Sequence, residues 1–137
     1  MAVTPHSARR QVQWTSGINL IVGIWLIFAP FVLGYAALQV AQWNDIILGI
    51  LIALLAATRV SKPLRQPGIS WTIVVLGFWL VIAPFVLGYG AADLAVASTA
   101  QANDVTVGLI VIVLGSWSAL ASRAAVRHEP AHGRPAR

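Results

Sequence analysis

Four long stretches of this chain carry no charge, and they limit its fold more than anything else in it. They run over residues 15–35, 46–58 (43–60 with polar flanks), 69–89 and 105–122. A membrane-spanning helix needs about 20 mostly apolar residues. The first and third runs meet that outright, and the second and fourth meet it with their flanks. Residues 105–120 hold nine Val, Leu or Ile. At about −0.3 to −0.6 kcal/mol each, these favour insertion by roughly 3–5 kcal/mol, and one mid-depth aspartate would cancel most of that. Asp45 and Asp104 are therefore expected at span ends. Only 9% of residues are charged, against about 25% in soluble domains. The expectation is an all-α membrane protein with four transmembrane helices.

The basic residues are placed one-sidedly. Arg9 and Arg10 precede the first run, Arg59, Lys62 and Arg65 separate the second and third, and Arg123, Arg127, Arg134 and Arg137 follow the fourth. Segments 36–42 and 90–102 have no Lys or Arg. The positive-inside rule makes the basic side cytoplasmic, with both termini inside. The net charge of +5 then reflects topology rather than nucleic-acid binding, and the basic tail reads as a solvated end touching anionic lipid. Trp14, Trp71 and Trp117 are expected at the inner interface, and Tyr35, Tyr89 and Trp43 at the outer one. The N-terminal segment lacks the short apolar core of a cleavable signal, so the first span is expected to act as its own insertion signal. Arginine outnumbers lysine eight to one, which hints at a bacterial source and hence the cytoplasmic (inner) membrane.

The heptapeptide Ala-Pro-Phe-Val-Leu-Gly-Tyr occurs at 29–35 and again at 83–89. At the same offset Gly23 meets Gly77, Trp25 meets Trp79 and Leu26 meets Leu80. After five extra residues, Asn44-Asp45 meets Asn103-Asp104, Gly49 meets Gly108 and Leu55 meets Leu114. The repeating unit is a two-span hairpin. The fold expected is two tandem two-helix repeats, related by a parallel pseudo-two-fold along the membrane normal. The divisions are a cytoplasmic tail 1–13, repeats 14–60 and 69–122, a basic linker 61–68 and a basic tail 123–137.

Each motif residue has an expected structural part. Pro30 and Pro84 strip the Leu26 and Leu80 carbonyls of their helical donor. A kink is expected there, with a facing helix or the indole N–H of Trp25 or Trp79 covering the gap. Gly34 and Gly88 end their helices, with Tyr35 and Tyr89 anchoring them. Asn44-Asp45 and Asn103-Asp104 read as helix starts, capping free N–H groups, the alternative being an outer-surface cation site. Gly23 and Gly77 recur in step, while Gly49, Ala53, Ala57 and Gly108, Gly115, Ser122 form small-residue faces for close helix approach. Asn19 reads as an interhelical hydrogen bond, or else as a substrate contact.

These motifs resemble the SPW repeat of bacterial membrane proteins over about residues 14–120. G-x-W-L, V-L-G-Y and N-D match. The naming triplet Ser-Pro-Trp stands here as Ala-Pro-Phe at 29–31 and 83–85. The resemblance implies a membrane location and a duplicated hairpin, and it supplies no catalytic residue.

No catalytic, cofactor-binding or metal-binding residues are expected. His6, His128 and His132 lie in polar tails, and Pro130 breaks the helical spacing of His128-Glu129 and His132. The chain has no cysteine. Ionisable residues inside a membrane usually mark ion paths, and none is expected. The reading is a non-enzymatic helix-packing or assembly module whose partners are the bilayer and either its own copies or another membrane protein. The alternative is a small transporter or channel component acting as an oligomer.

Overall fold

The computed structural model describes residues 5–62 and 67–127. Arg65, His128, Glu129, His132, Arg134 and Arg137, on which parts of the sequence reading fall, lie outside them. The described residues are helical: α1 (Pro5–Val32), α2 (Gln39–Ser61), α3 (Pro67–Val86), a 3₁₀ turn (Tyr89–Ala91) and α4 (Leu94–Arg127). All four α-helices are long and apolar enough to cross a membrane.

The helices run up, down, up, down. Gln13 lies beside Val60, Gly23 beside Gly49 and Ala53, and Tyr35 beside Asp45, so α1 and α2 are antiparallel. Ser70 beside Ser118, Gly77 beside Gly108 and Tyr89 beside Asp104 place α3 and α4 the same way. The tightest pairings are α1 with α2 and α3 with α4; α1 on α4 and α2 on α3 close the bundle.

Both hairpins cross on glycine. A Cβ added to Gly49 would stand 2.6 Å from the Gly23 carbonyl oxygen, and one on Gly108 2.7 Å from that of Gly77. Small residues let helix backbones approach closely where lipid gives no hydrophobic drive to association. The glycine faces read from the sequence make this contact.

Both proline-bearing helices continue two residues past their proline and then stop the same way. Leu33 N–H bonds the Ala29 carbonyl and Leu87 N–H that of Ala83, each at 2.8 Å. Gly34 (φ 81°) and Gly88 (φ 70°) follow in the left-handed region, which a side chain would strain. The expected glycine stops are in place.

The exterior is large and apolar, as a bilayer solvent requires, and the interior combines an apolar centre with buried polar groups. Leu26, Leu48, Ile52, Ile73, Leu80, Val107 and Val111 form the central core. Phe28, Phe31, Leu54, Phe78 and Phe85 face outward. Trp14, Trp43 and Trp117 are also exposed, and Arg123 stacks on Trp71 with its guanidinium carbon 5.1 Å from the ring centroid. These exposed indoles fit the interfacial belt that the sequence suggests.

All four helices start earlier than their apolar runs, α1 and α4 by the most. α1 includes residues 5–14. α4 begins at Leu94 because Asp93 caps it: its Oδ1 accepts the Ala95 N–H at 3.0 Å. The segment 94–102, part of the stretch without Lys or Arg between the third and fourth apolar runs, is rich in alanine, the strongest helix former. With 34 residues, α4 is about 51 Å long at 1.5 Å per residue. That exceeds the roughly 30 Å of hydrocarbon, so α4 extends beyond it.

Candidate functional site: a buried polar cluster across the two hairpins

The ends of α1 and α3 and the first half of α2 and α4 bring eight motif residues together: Trp25, Tyr35, Asn44, Asp45, Trp79, Tyr89, Asn103 and Asp104. Tyr35, Asp45 and Asp104 are fully buried, and Tyr89 is 1% exposed.

Each hairpin carries its own tyrosine–aspartate bond. Tyr35 donates its hydroxyl to Asp45 Oδ2 at 2.6 Å, and Tyr89 to Asp104 Oδ2 at 2.9 Å. The glycine stops turn the chain so that each phenol reaches the next helix. The asparagines then cross between hairpins. Asn103 donates its amide N–H to the Tyr35 hydroxyl at 3.0 Å, and Asn44 to that of Tyr89 at 3.3 Å. The tryptophans cross as well: Trp25 Nε1 donates to Asn103 Oδ1 at 3.1 Å, and Trp79 Nε1 to Asn44 Oδ1 at 3.0 Å. Asn44 Nδ2 also lies 3.4 Å from Asp45 Oδ1 and 3.5 Å from Asp104 Oδ2, drawing both carboxyls into one cluster.

The donors that reach these carboxyls are neutral, two phenols and two carboxamides. Burial, and next the bond to Asp45, hold the Tyr35 hydroxyl above tyrosine's ordinary pKa, so it remains a donor. Such a cluster can register helices rigidly, because each unmade bond in a low-dielectric interior is costly.

Four sequence expectations are corrected here. Asn44 and Asp45 do not cap α2, which begins at Gln39 after Leu38, and Asn103 and Asp104 lie well inside α4. Tyr35 and Tyr89 are not exposed interfacial anchors. The indoles of Trp25 and Trp79, 39% and 37% exposed, bond Asn103 and Asn44 rather than the carbonyls that proline frees. Ionisable groups do lie inside the spanning helices, since Asp45, Asp104 and Arg59 are each buried within α2 or α4. Asn19 is buried, but the interhelical hydrogen bond expected of it is not seen at its Oδ1, which has no partner among the described residues.

A second polar cluster sits at the opposite end. Arg59 Nη2 donates to Ser118 Oγ at 3.1 Å and Ser122 Oγ at 2.7 Å, and Ser70 Oγ donates to Ser118 Oγ at 3.1 Å. This joins α2, α3 and α4. The sequence reading placed Arg59 only as part of a basic connection. Its position on the Ile52–Ala56–Arg59 buried face was the available signal.

Among the described residues, no group of three or more His, Cys, Asp or Glu is placed to hold a metal. A family model described as the SPW repeat domain matches residues 13–118. Searches of curated proteins and of solved structures find no match.

Proposed function

This chain belongs to the SPW repeat domain family, and from that premise we propose that it is a non-enzymatic assembly module of the bacterial cytoplasmic membrane. Family and four apolar helices together point to a multi-pass membrane protein. Its two hairpins are tandem repeats, related by a two-fold along the membrane normal, and both termini face the cytoplasm. The one-sided arginines support that orientation. The observation that carries the assembly reading is the crossed cluster. The polar side chains of the motif bond one another between hairpins, giving a rigid four-helix unit with a large apolar exterior. The partner is a second copy or another membrane protein. Crosslinking in native membrane followed by purification tests this. A stable crosslinked partner is expected, and recovery of the monomer alone contradicts it. For orientation, Cys replacing Gly90 should label from outside intact cells and Cys replacing Lys62 should not.

A second reading is favoured by Asp45 and Asp104, because intramembrane carboxyls often line ion paths. An oligomer would then conduct beside them. Protein-dependent flux in proteoliposomes, abolished in Asp45→Asn, would establish it.

A further inference from the structure

The outer face of α1 holds a shallow groove with a graded lining: Arg10, Gln13, Trp14, Gly17, Ile18 and Ile21. These positions are three or four apart, so they form one stripe along the helix. The stripe runs from a cation, through a carboxamide and an indole, to a glycine notch and two isoleucines. Trp14 is 66% and Ile21 67% exposed, so neither is covered by the bundle. A Cβ added to Gly17 would meet nothing within 4 Å, which makes the notch open space. A second groove shares the wall of Arg10 and Trp14, and Trp117 of α4 lines it on the other side.

We propose that this groove holds an anionic phospholipid, its phosphate at Arg10 and one acyl chain lying through the Gly17 notch over Ile18 and Ile21. The order of chemistry along the groove is the order of an amphiphile in one leaflet: charge, interface, hydrocarbon. Arginine presents a planar fork of donors suited to phosphate. Trp14 and Trp117 flank it as rings that settle at headgroup depth. Gly17 removes the side chain that would fill the acyl path. Charge complementarity selects an anionic headgroup over a zwitterionic one. The site depends neither on the assembly reading nor on which way the protein faces.

Native mass spectrometry of the full chain, released from nanodiscs of equal phosphatidylglycerol and phosphatidylcholine, reads retained lipid directly. Wild type should retain phosphatidylglycerol over phosphatidylcholine by about tenfold. Arg10→Gln should lose that preference. Gly17→Leu, whose side chain enters open space, should remain folded and lose retention of both lipids. Arg9→Gln, exposed on the same end but absent from both grooves, should retain phosphatidylglycerol as wild type does. Equal retention of the two lipids by wild type would overturn the proposal. So would equal losses in Arg9→Gln and Arg10→Gln, which would mark a diffuse basic surface. Unchanged retention in Gly17→Leu would also overturn it.

Discussion

Trp25 on α1 donates its indole N–H to Asn103 on α4 at 3.1 Å, across 78 residues of chain. Its counterpart Trp79 makes the same bond to Asn44 at 3.0 Å. The two bonds run between hairpins in opposite directions, so neither hairpin completes its cluster alone. Interhelical hydrogen bonds in lipid are worth about 0.6 kcal/mol on average and up to about 1.7. A double-mutant cycle of Trp25→Phe and Asn103→Ala, read by reversible unfolding in mixed micelles, should give a coupling of about 0.5–1.5 kcal/mol. Trp25→Phe with Asn44→Ala should show a markedly smaller one.

Asp45 accepts the buried Tyr35 hydroxyl at 2.6 Å. Asp45→Asn keeps an oxygen there and should leave the protein folded with a modest loss of stability. Asp45→Leu strands the phenol, and a buried donor without an acceptor costs about 1–3 kcal/mol. The same micelle unfolding assay should rank Leu well below Asn at this position, and likewise at Asp104.

Within the helices, packing of the bundle should depend on glycine only where helices cross. Gly49→Leu places its side chain against the Gly23 carbonyl oxygen and the Leu26 side chain. No rotamer avoids the backbone, so the α1–α2 hairpin must separate. Gly49→Leu should lower the yield of monodisperse protein on size exclusion several-fold, while Gly17→Leu, facing open space, should elute as wild type.

Arg59 bridges Ser118 and Ser122 through one guanidinium nitrogen, 3.1 and 2.7 Å away. Lysine keeps the charge but presents a single compact ammonium on a more flexible stem. Arg59→Lys should therefore lower thermal stability in detergent, by about 1–3 kcal/mol, the scale for a disturbed buried charged hydrogen bond. Ser122→Ala, which removes one acceptor, should cost less.

The four apolar runs give four helices because burial in lipid is decided locally, by composition over about 20 residues. Gly34 and Gly88 were legible for a similar reason, since the stop is a property of their own backbone. The polar cluster was not. An Asn-Asp pair before an apolar run looks like a cap from local rules alone. Its true partners, Tyr89 for Asn44 and Tyr35 for Asn103, lie 45 and 68 residues away. The start of α4 was missed because Ser98, Thr99 and Gln101 dilute the apolar signal, though alanines and Asp93 carry the helix. One signal was present in the sequence: Trp, Tyr, Asn and Asp are all duplicated in step, a full set of donors and acceptors within the repeated unit.

The crossed pairing is most directly tested by nuclear magnetic resonance of the indole N–H groups in ¹⁵N-tryptophan protein in detergent. The chain has six tryptophans, and Trp25→Phe and Trp79→Phe assign the two that matter. Asn103→Ala should move the Trp25 indole proton upfield as its hydrogen bond is lost and leave Trp79 in place, and Asn44→Ala should do the reverse. If Asn103→Ala leaves the Trp25 resonance unmoved, or if Asn44→Ala shifts it instead, the two hairpins are not joined in this way.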